Sequence, residues 1–358
     1  MAASPSLVPS PYLELNSRQR MSLLLIDEIP DRVVVYPLIS AHAAAVAGIG
    51  LLEYVTDGKA MARAQIAALR LYKHDAVSIF SDVGVIAEAL GSKLYFSNAD
   101  VPVLQQPVVD DTQSWQDLTI PNADSLPGRY SVYIEAIETC QREVGDVTPV
   151  MVFIPAPFTT AALLRGVEDF LADTLLEKEA CHHLLEISLL SGLAFADLCI
   201  EAGAIPMLVD PLASGSVISQ QTFHDFAAPY LRRFSDHLHR SDFDVFLHIC
   251  GRSESILDGI LDTRCDLFSC DDVPLALCRD RIGTQTRIIG NLRPTDLLED
   301  DPHTIKRKVT DIMAAGKENP KGFVLSTGCE VPILAPQENV QAFVDEGRKR
   351  GCYWGQGT

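Results

Sequence analysis

The most distinctive chemistry in this sequence belongs to one imidazole and two thiols. His248-Ile249-Cys250 closes an apolar run, and Cys329 follows Ser326-Thr327-Gly328 at the end of another. Alternate residues of a strand share a face, so His248 and Cys250 can enter one ligand field, with Cys329 joining them if its own strand ends nearby. One imidazole and two thiolates suit tetrahedral zinc. Three protein ligands leave a fourth position for substrate, the pattern of a catalytic rather than a closed structural site. The thiolate charges offset the dication, and a third sulfur arriving at the open position would be deprotonated at neutral pH. A thiolate held this way fits transfer of an alkyl group to sulfur better than hydrolysis, for which sites richer in His and carboxylate are more usual. Spacing alone leaves a second reading open. A chain with nine Cys and nine His yields some His-x-Cys pair by chance, and buried cysteine usually behaves as a small hydrophobe.

Other polar residues stand at the ends of apolar runs: Ser40 and His42, Asp82, Asp210, Asp271 and Asp272, Asn291, and Glu330. Asp82 and Asp210 would be costly to bury unless hydrogen-bonded or facing a solvent-filled mouth. Helix capping explains them as well as substrate binding does. Asn291, in Gly290-Asn291-Leu292-Arg293-Pro294, could simply satisfy a turn. Cys265, Cys270 and Cys278 match no iron–sulfur spacing and read as core or partly exposed thiols. His182 and His183, like His224, His237 and His239, fall on helical stretches where a solvated face is the plain reading. No dinucleotide-binding, P-loop, nucleophile-elbow or EF-hand motif occurs.

The elements that must position these residues alternate. Apolar, β-rich runs at 33–36, 76–80, 150–154, 206–209, 245–249, 267–270, 287–290 and 323–326 read as about eight strands. Their continuous apolar character predicts parallel strands buried on both faces. Helices lie between them. One starts on Asp301 with Pro302 in its first turn and stops near Gly316. Another starts near Ser219 and runs to Leu238, a long one covers 178–202 with a buried stripe through Leu185, Leu189, Leu193, Ala196 and Ile200, and the last covers 336–351. Repeated strand–helix alternation over most of the chain predicts a single (β/α)8 TIM barrel at residues 18–358, preceded by a short extension at 1–17. The longest insertion follows the second strand, at 83–146; its segment 93–126 is expected to form a hairpin or long loops near the barrel mouth.

Composition bounds the partners. The chain has 358 residues, 47% hydrophobic and 22% charged, with a net charge of −19. This is a compact globular composition, and it argues against nucleic acid or an anionic membrane as partner. The most apolar window, 38–52, includes His42 and is too short to span a bilayer about 30 Å thick. An odd number of irregularly spaced cysteines, without a secretory signal, points to a reducing cytoplasmic location.

Five stretches resemble the uroporphyrinogen decarboxylase superfamily: Pro155-Ala156-Pro157-Phe158-Thr159 with Gly166; Asp210-Pro211 through Ser214 and Ser219 to Pro229-Tyr230; His248-Ile249-Cys250-Gly251; Gly290-Asn291-Leu292-Arg293-Pro294; and Ser326-Thr327-Gly328-Cys329 with Pro332, Pro336 and Asn339. They run in family order, with a weaker match at Asp82 and Glu88-Ala89-Leu90-Gly91. The resemblance implies a (β/α)8 barrel and substrate contacts from Asp82, Asp210, Ser214 and Asn291. The decarboxylases proper hold a polycarboxylate tetrapyrrole through an arginine-rich opening segment and use no metal. Here the corresponding residues 33–52 contain no Arg or Lys, so a polyanion would lack counter-charges. The other branch resembles zinc methyltransferases that move methyl groups between corrinoids and thiols such as coenzyme M. Their His-x-Cys and distant Cys map onto His248, Cys250 and Cys329. No Asp-x-His-x-x-Gly corrinoid motif occurs, so this branch implies a corrinoid (methylcobalamin) supplied in trans, on a separate corrinoid protein or free. The implied reaction is attack of a zinc-activated thiolate on the cobalt-bound methyl group, in either overall direction. A metal-free tetrapyrrole decarboxylase is the alternative enzyme, and a non-catalytic thiol- or corrinoid-binding barrel is a third expectation.

Overall fold

A computed structural model describes residues 14–110, 114–120, 122 and 125–353; the first thirteen residues of the expected 1–17 extension, and parts of the 93–126 insertion, lie outside them. The eight expected strands are all present. They are β1 (Val34–Val35), β2 (Val77–Ile79), β5 (Val150–Pro155), β6 (Ile205–Val209), β7 (Phe246–His248), β8 (Leu267–Ser269), β9 (Arg287–Leu292) and β10 (Phe323–Thr327). Two further strands, β3 (Lys93–Tyr95) and β4 (Val103–Gln106), form an antiparallel hairpin inside the insertion.

The eight strands lie in one parallel sheet in the order β1-β10-β9-β8-β7-β6-β5-β2. The sheet curls into a (β/α)8 barrel, and its seam runs between β1 and β2. There the Asp75 amide donates to the Val35 carbonyl at 2.8 Å, and the Tyr36 and Ser78 hydroxyls pair at 2.8 Å.

Period-two alternation sorts every strand into an inward and an outward set. Val34, Tyr36, Met151, Phe153, Met207, Val209, Phe246, Leu267, Ile289 and Val324 fill the barrel interior. Val33, Val35, Val152, Ile154, Leu208, Leu247, Ile249, Phe268, Cys270 and Leu325 pack outward against the helices. By the same parity His248 and Ser269 point inward, whereas Cys270 is committed to the outer layer.

The helix Ser17–Leu25 closes the amino-terminal end of the barrel, adding Met21 and Leu24 to the interior core. It opens with a capping box, Asn16 accepting from the Gln19 amide at 2.8 Å and Gln19 accepting from the Asn16 amide at 3.1 Å. At its other end Arg287 donates to the carbonyls of Leu24 and Leu25, satisfying groups that a helix terminus leaves free. The expectation of a simple extension ending at residue 17 carried no hint of this plug.

The remaining helices follow the expected ends closely. Asp301 accepts from the Thr304 amide at 2.8 Å and caps the helix Pro302–Gly316. Ser219 caps a helix that passes through one π turn, Phe223–Ala227, before continuing as Ala228–Arg240. The helix Lys178–Glu201 is long and apolar enough to cross a membrane by length and composition. Here it lies along β5 and β6 as part of the barrel wall, with Leu185, Leu189 and Ala196 buried.

Candidate metal centre

All the candidate ligands lie at the carboxyl-terminal mouth, where strand ends and the loops after them converge. His248 is the last residue of β7, and Cys250 follows with the same inward parity. Cys329 lies two residues beyond the end of β10. β7 and β10 are separated in the sheet by β8 and β9, so only the curl of the barrel brings their ends together. One ligand atom from each of His248, Cys250 and Cys329 lies within 4.8 Å of the others. Bond lengths of about 2.0 Å to nitrogen and about 2.3 Å to sulfur, at tetrahedral angles, put zinc ligand atoms roughly 3.5–3.8 Å apart. The three donors therefore fit a single zinc ion once their separations close by about an ångström. No other cluster of metal-ligating side chains of this kind occurs among the described residues.

The surroundings hold this geometry. His248 is buried and its Nδ1 pairs with the Ser269 hydroxyl of β8 at 3.0 Å. With the Nδ1 proton assigned to that bond, Nε2 keeps its lone pair for a metal. The Ser214 hydroxyl donates to the Cys250 carbonyl at 2.7 Å. Gly251, at φ +75°, takes the left-handed turn that ends the β7 segment, a conformation a side chain would strain.

Charge is crowded at this point. The hydrogen bond from Cys329 holds the Cys250 thiol below its usual range despite burial, while the same bond and burial push Cys329 up. Burial would lower His248, but its bond to the Cys329 sulfur and the nearby charges of Cys329, Asp271 and Glu330 outweigh it and raise the imidazole. Burial also raises Glu330, against the Ser40 hydroxyl that donates to its carboxylate. Donors this close compete for protons until a cation takes their place.

The other expected site residues occupy the same end of the barrel, and each is tied to neighbouring groups, with Asp210 Oδ2 left without a partner. Asp82 accepts four hydrogen bonds, from the Ser81 hydroxyl, the Gly84 amide and two Arg129 nitrogens at 2.6 and 3.1 Å. Asp210 is fully buried. Its Oδ1 accepts from the amide and hydroxyl of Thr159 at 2.7 and 2.6 Å, Oδ2 has no partner, and burial pushes its pKa up to about 6. Asn291 donates to the carbonyls of Asp271 and Val273 at 2.9 and 2.7 Å, bracing the loop after β8.

Two participants escaped the sequence reading. Ser269 carried a usable signal, since it ends β8 with inward parity beside His248. Arg129 carried none. It lies in the insertion after β2, yet it is buried across Asp82 and Glu88 with Phe96 against its guanidinium. Of the nine cysteines, all free thiols, six are fully buried away from the cluster. Burial, helped by the nearby charges of Glu143 and Asp266 respectively, pushes Cys140 and Cys265 up to about 12.

Barrel architecture and three clustered metal-ligating side chains at its mouth define the class: an α/β barrel with a histidine–dithiol cluster where its strands end. Residues 16–350 match the uroporphyrinogen decarboxylase (URO-D) family, and the chain belongs to it. A methylated-thiol–coenzyme M methyltransferase of Methanosarcina mazei is 30% identical over 290 residues, 80% of this chain and 76% of that protein. The methylcobamide:CoM methyltransferase MtaA of Methanosarcina barkeri is 28% identical, covering 82% of this chain and 85% of its own. A uroporphyrinogen decarboxylase of Psychromonas ingrahamii is 29% identical over 77% of this chain and 79% of its own length. A solved methyltransferase structure from Methanosarcina mazei superposes with a TM-score of 0.86 at 25% identity, covering 94% of this chain and 99% of that one.

Proposed function

We propose that this protein is a zinc-dependent methyltransferase that moves a methyl group between a corrinoid and a small thiol. His248, Cys250 and Cys329 would hold the metal, and the observation that carries the reading is the approach of these three donors to within 4.8 Å at the barrel mouth. Zinc held there supplies Lewis acidity that lowers the pKa of an incoming thiol. The chain's own residues supply the rest. Ser269 orients the imidazole, Ser214 fixes the Cys250 backbone, and Phe80, Phe153 and Phe246 belong to the apolar core that fills the barrel interior.

In the thiol-methylating direction the sulfur gains the methyl group, the thiol proton is released, and the cobalt–carbon bond pair returns to cobalt, taking it from Co(III) to Co(I). The corrinoid arrives in trans, on a separate protein or free. The methyltransferase relatives, two named for coenzyme M and one of those also for a methylcobamide, support this chemistry. The decarboxylase reading is disfavoured by the basic-free segment at residues 33–52 and by the engagement of both Asp82 oxygens.

Metal analysis of protein purified under reductant, together with the visible spectrum of methylcobalamin during incubation with coenzyme M, tests the proposal. About one zinc per chain, its loss in Cys329→Ala, and thiol-dependent demethylation are expected. Clearly substoichiometric zinc in the wild type, zinc unchanged in Cys329→Ala, or carbon dioxide release from uroporphyrinogen without metal would overturn it.

A further inference from the structure

The two thiol ligands come from loops that are remote in sequence, and one carboxylate lies between those loops. Asp271 follows β8, and its Oδ2 accepts from the amide of Gly251, the residue immediately after Cys250, at 2.8 Å. Its Oδ1 lies against Gly328, the residue immediately before Cys329. A Cβ built on Gly328 would stand 2.2 Å from that oxygen and 3.1 Å from the Asp271 Cα, so no other residue fits without displacing Asp271. The contact is reinforced on both sides. The Asp272 amide donates to the Gly251 carbonyl at 3.2 Å, and the Gly328 amide donates to the Leu292 carbonyl at 2.7 Å. Asn291 pins the Asp271 carbonyl itself at 2.9 Å.

From this juxtaposition we propose that Asp271 is a positioning residue for the metal centre: its carboxylate holds the Cys250–Gly251 turn by a hydrogen bond, packs against the Gly328–Cys329 turn, and so sets the distance between the two sulfurs. The inference rests on the metal reading above. Asp271 is not itself one of the clustered donors; it acts through the backbone of their neighbours. Its charge also falls on the ligands, since it is among the groups whose field reaches His248 and Cys250. A third negative charge behind two thiolates favours a dication over a monocation or an empty site. The contact thereby explains why the chain places Gly at 328, where the backbone meets the carboxylate, whereas Gly251 is required by its φ of +75° and by the Ser214 and Ser216 side chains against it.

The test separates geometry from charge. Asp271→Asn retains an oxygen acceptor for the Gly251 amide but removes the charge, whereas Asp271→Ala removes both. Zinc affinity, measured by competition with a chromophoric chelator, is expected to fall about 10-fold in the Asn variant and toward 100-fold in the Ala variant, the range found when groups supporting metal ligands are removed. Cobalt(II)-loaded protein gives a second readout independent of turnover. The Asn variant should keep the intense visible bands of tetrahedral thiolate coordination, and the Ala variant should weaken or shift them. Zinc affinity and cobalt spectrum both unchanged in Asp271→Ala would overturn the proposal. If that variant does not fold, unchanged zinc affinity in Asp271→Asn overturns the charge role, and altered cobalt bands in the same variant overturn the geometric one. Absence of zinc binding by the wild type would instead strike the metal reading itself.

Discussion

Asp75 closes the barrel seam, and replacing it with Asn is the most stringent test of how this fold is held together. Its carboxylate is fully buried and accepts from Arg32 at 2.6 and 3.0 Å, Arg20 at 2.8 Å, the Val35 amide at 2.7 Å and the Ser17 hydroxyl at 2.8 Å. The side chain thus ties the plug helix, β1 and the start of β2 to one charge. Asp75→Asn keeps the shape but leaves Arg20, at 1% exposure, and Arg32, at 8%, facing a neutral amide. Breaking a buried ion pair by removing one partner costs about 3–5 kcal/mol. Arg20 retains Asp31 at 2.7 Å, so the lower half of that range is expected. An unfolding entropy of about 2.1 cal/mol/K per residue applied to 358 residues converts about 3–4 kcal/mol into a fall in Tm of roughly 4–5 °C.

The pH dependence has a definite sign. Burial would raise the Asp75 pKa, but the two guanidinium groups and the Val35 amide overcome it and hold the pKa below the usual carboxylate value. Its contribution is therefore complete above the unfolded pKa near 3.8 and is lost as pH falls through the lower folded value. Denaturant melts of both proteins at pH 7 and in the acid range read this out, with the exposed pair Arg63–Glu53 as control. A loss below about 1 kcal/mol at pH 7, no larger than for a surface pair, would refute the assignment of Asp75 as the seam's fastening.

Further expectations concern the site. Asp210 is raised by burial to about 6, so the folded state holds a proton that the unfolded state has released between pH 3.8 and about 6; stability from this group is full below 3.8 and declines as pH rises through 6. Asp210→Asn should flatten that part of the stability profile, and an identical slope in wild type and variant would show that the carboxyl does not titrate there. Ser269→Ala removes the partner of His248 Nδ1 and should weaken zinc binding about 10-fold; undiminished affinity would assign the imidazole's orientation to packing alone. Arg129→Met leaves the Asp82 carboxylate buried without its guanidinium and should destabilise by about 3 kcal/mol or more, measured by denaturant unfolding; a neutral result would mean that water reaches Asp82.

Much of this architecture was legible in the residues themselves. Eight apolar runs marked all eight barrel strands because strands buried on both faces must be continuously apolar. Asp301-Pro302 and Ser219 announced helix starts through local capping chemistry. His248 and Cys250 were readable as a pair because strand parity is local. The plug helix was missed although Asn16 and Gln19 formed a capping box, since its apolar face is only Met21 and Leu24. Arg129 was missed because it stands just before the helix Tyr130–Val144, and nothing local connects that helix start to Asp82, 47 residues earlier in the chain.

Sequence alone therefore determined which residues have the valence for zinc, which face of each strand they take, and that the strands are parallel. It named Cys329 as the third donor, from its strand end and the family resemblance, but could not determine that Cys329 lies within reach of His248 and Cys250. Cys270 faces the helices by parity, while Cys329 reaches His248 only because the sheet curls across β8 and β9. Ligand distance is a property of that closure and of the Asp271 clamp, and both arise from contacts between segments far apart in the chain.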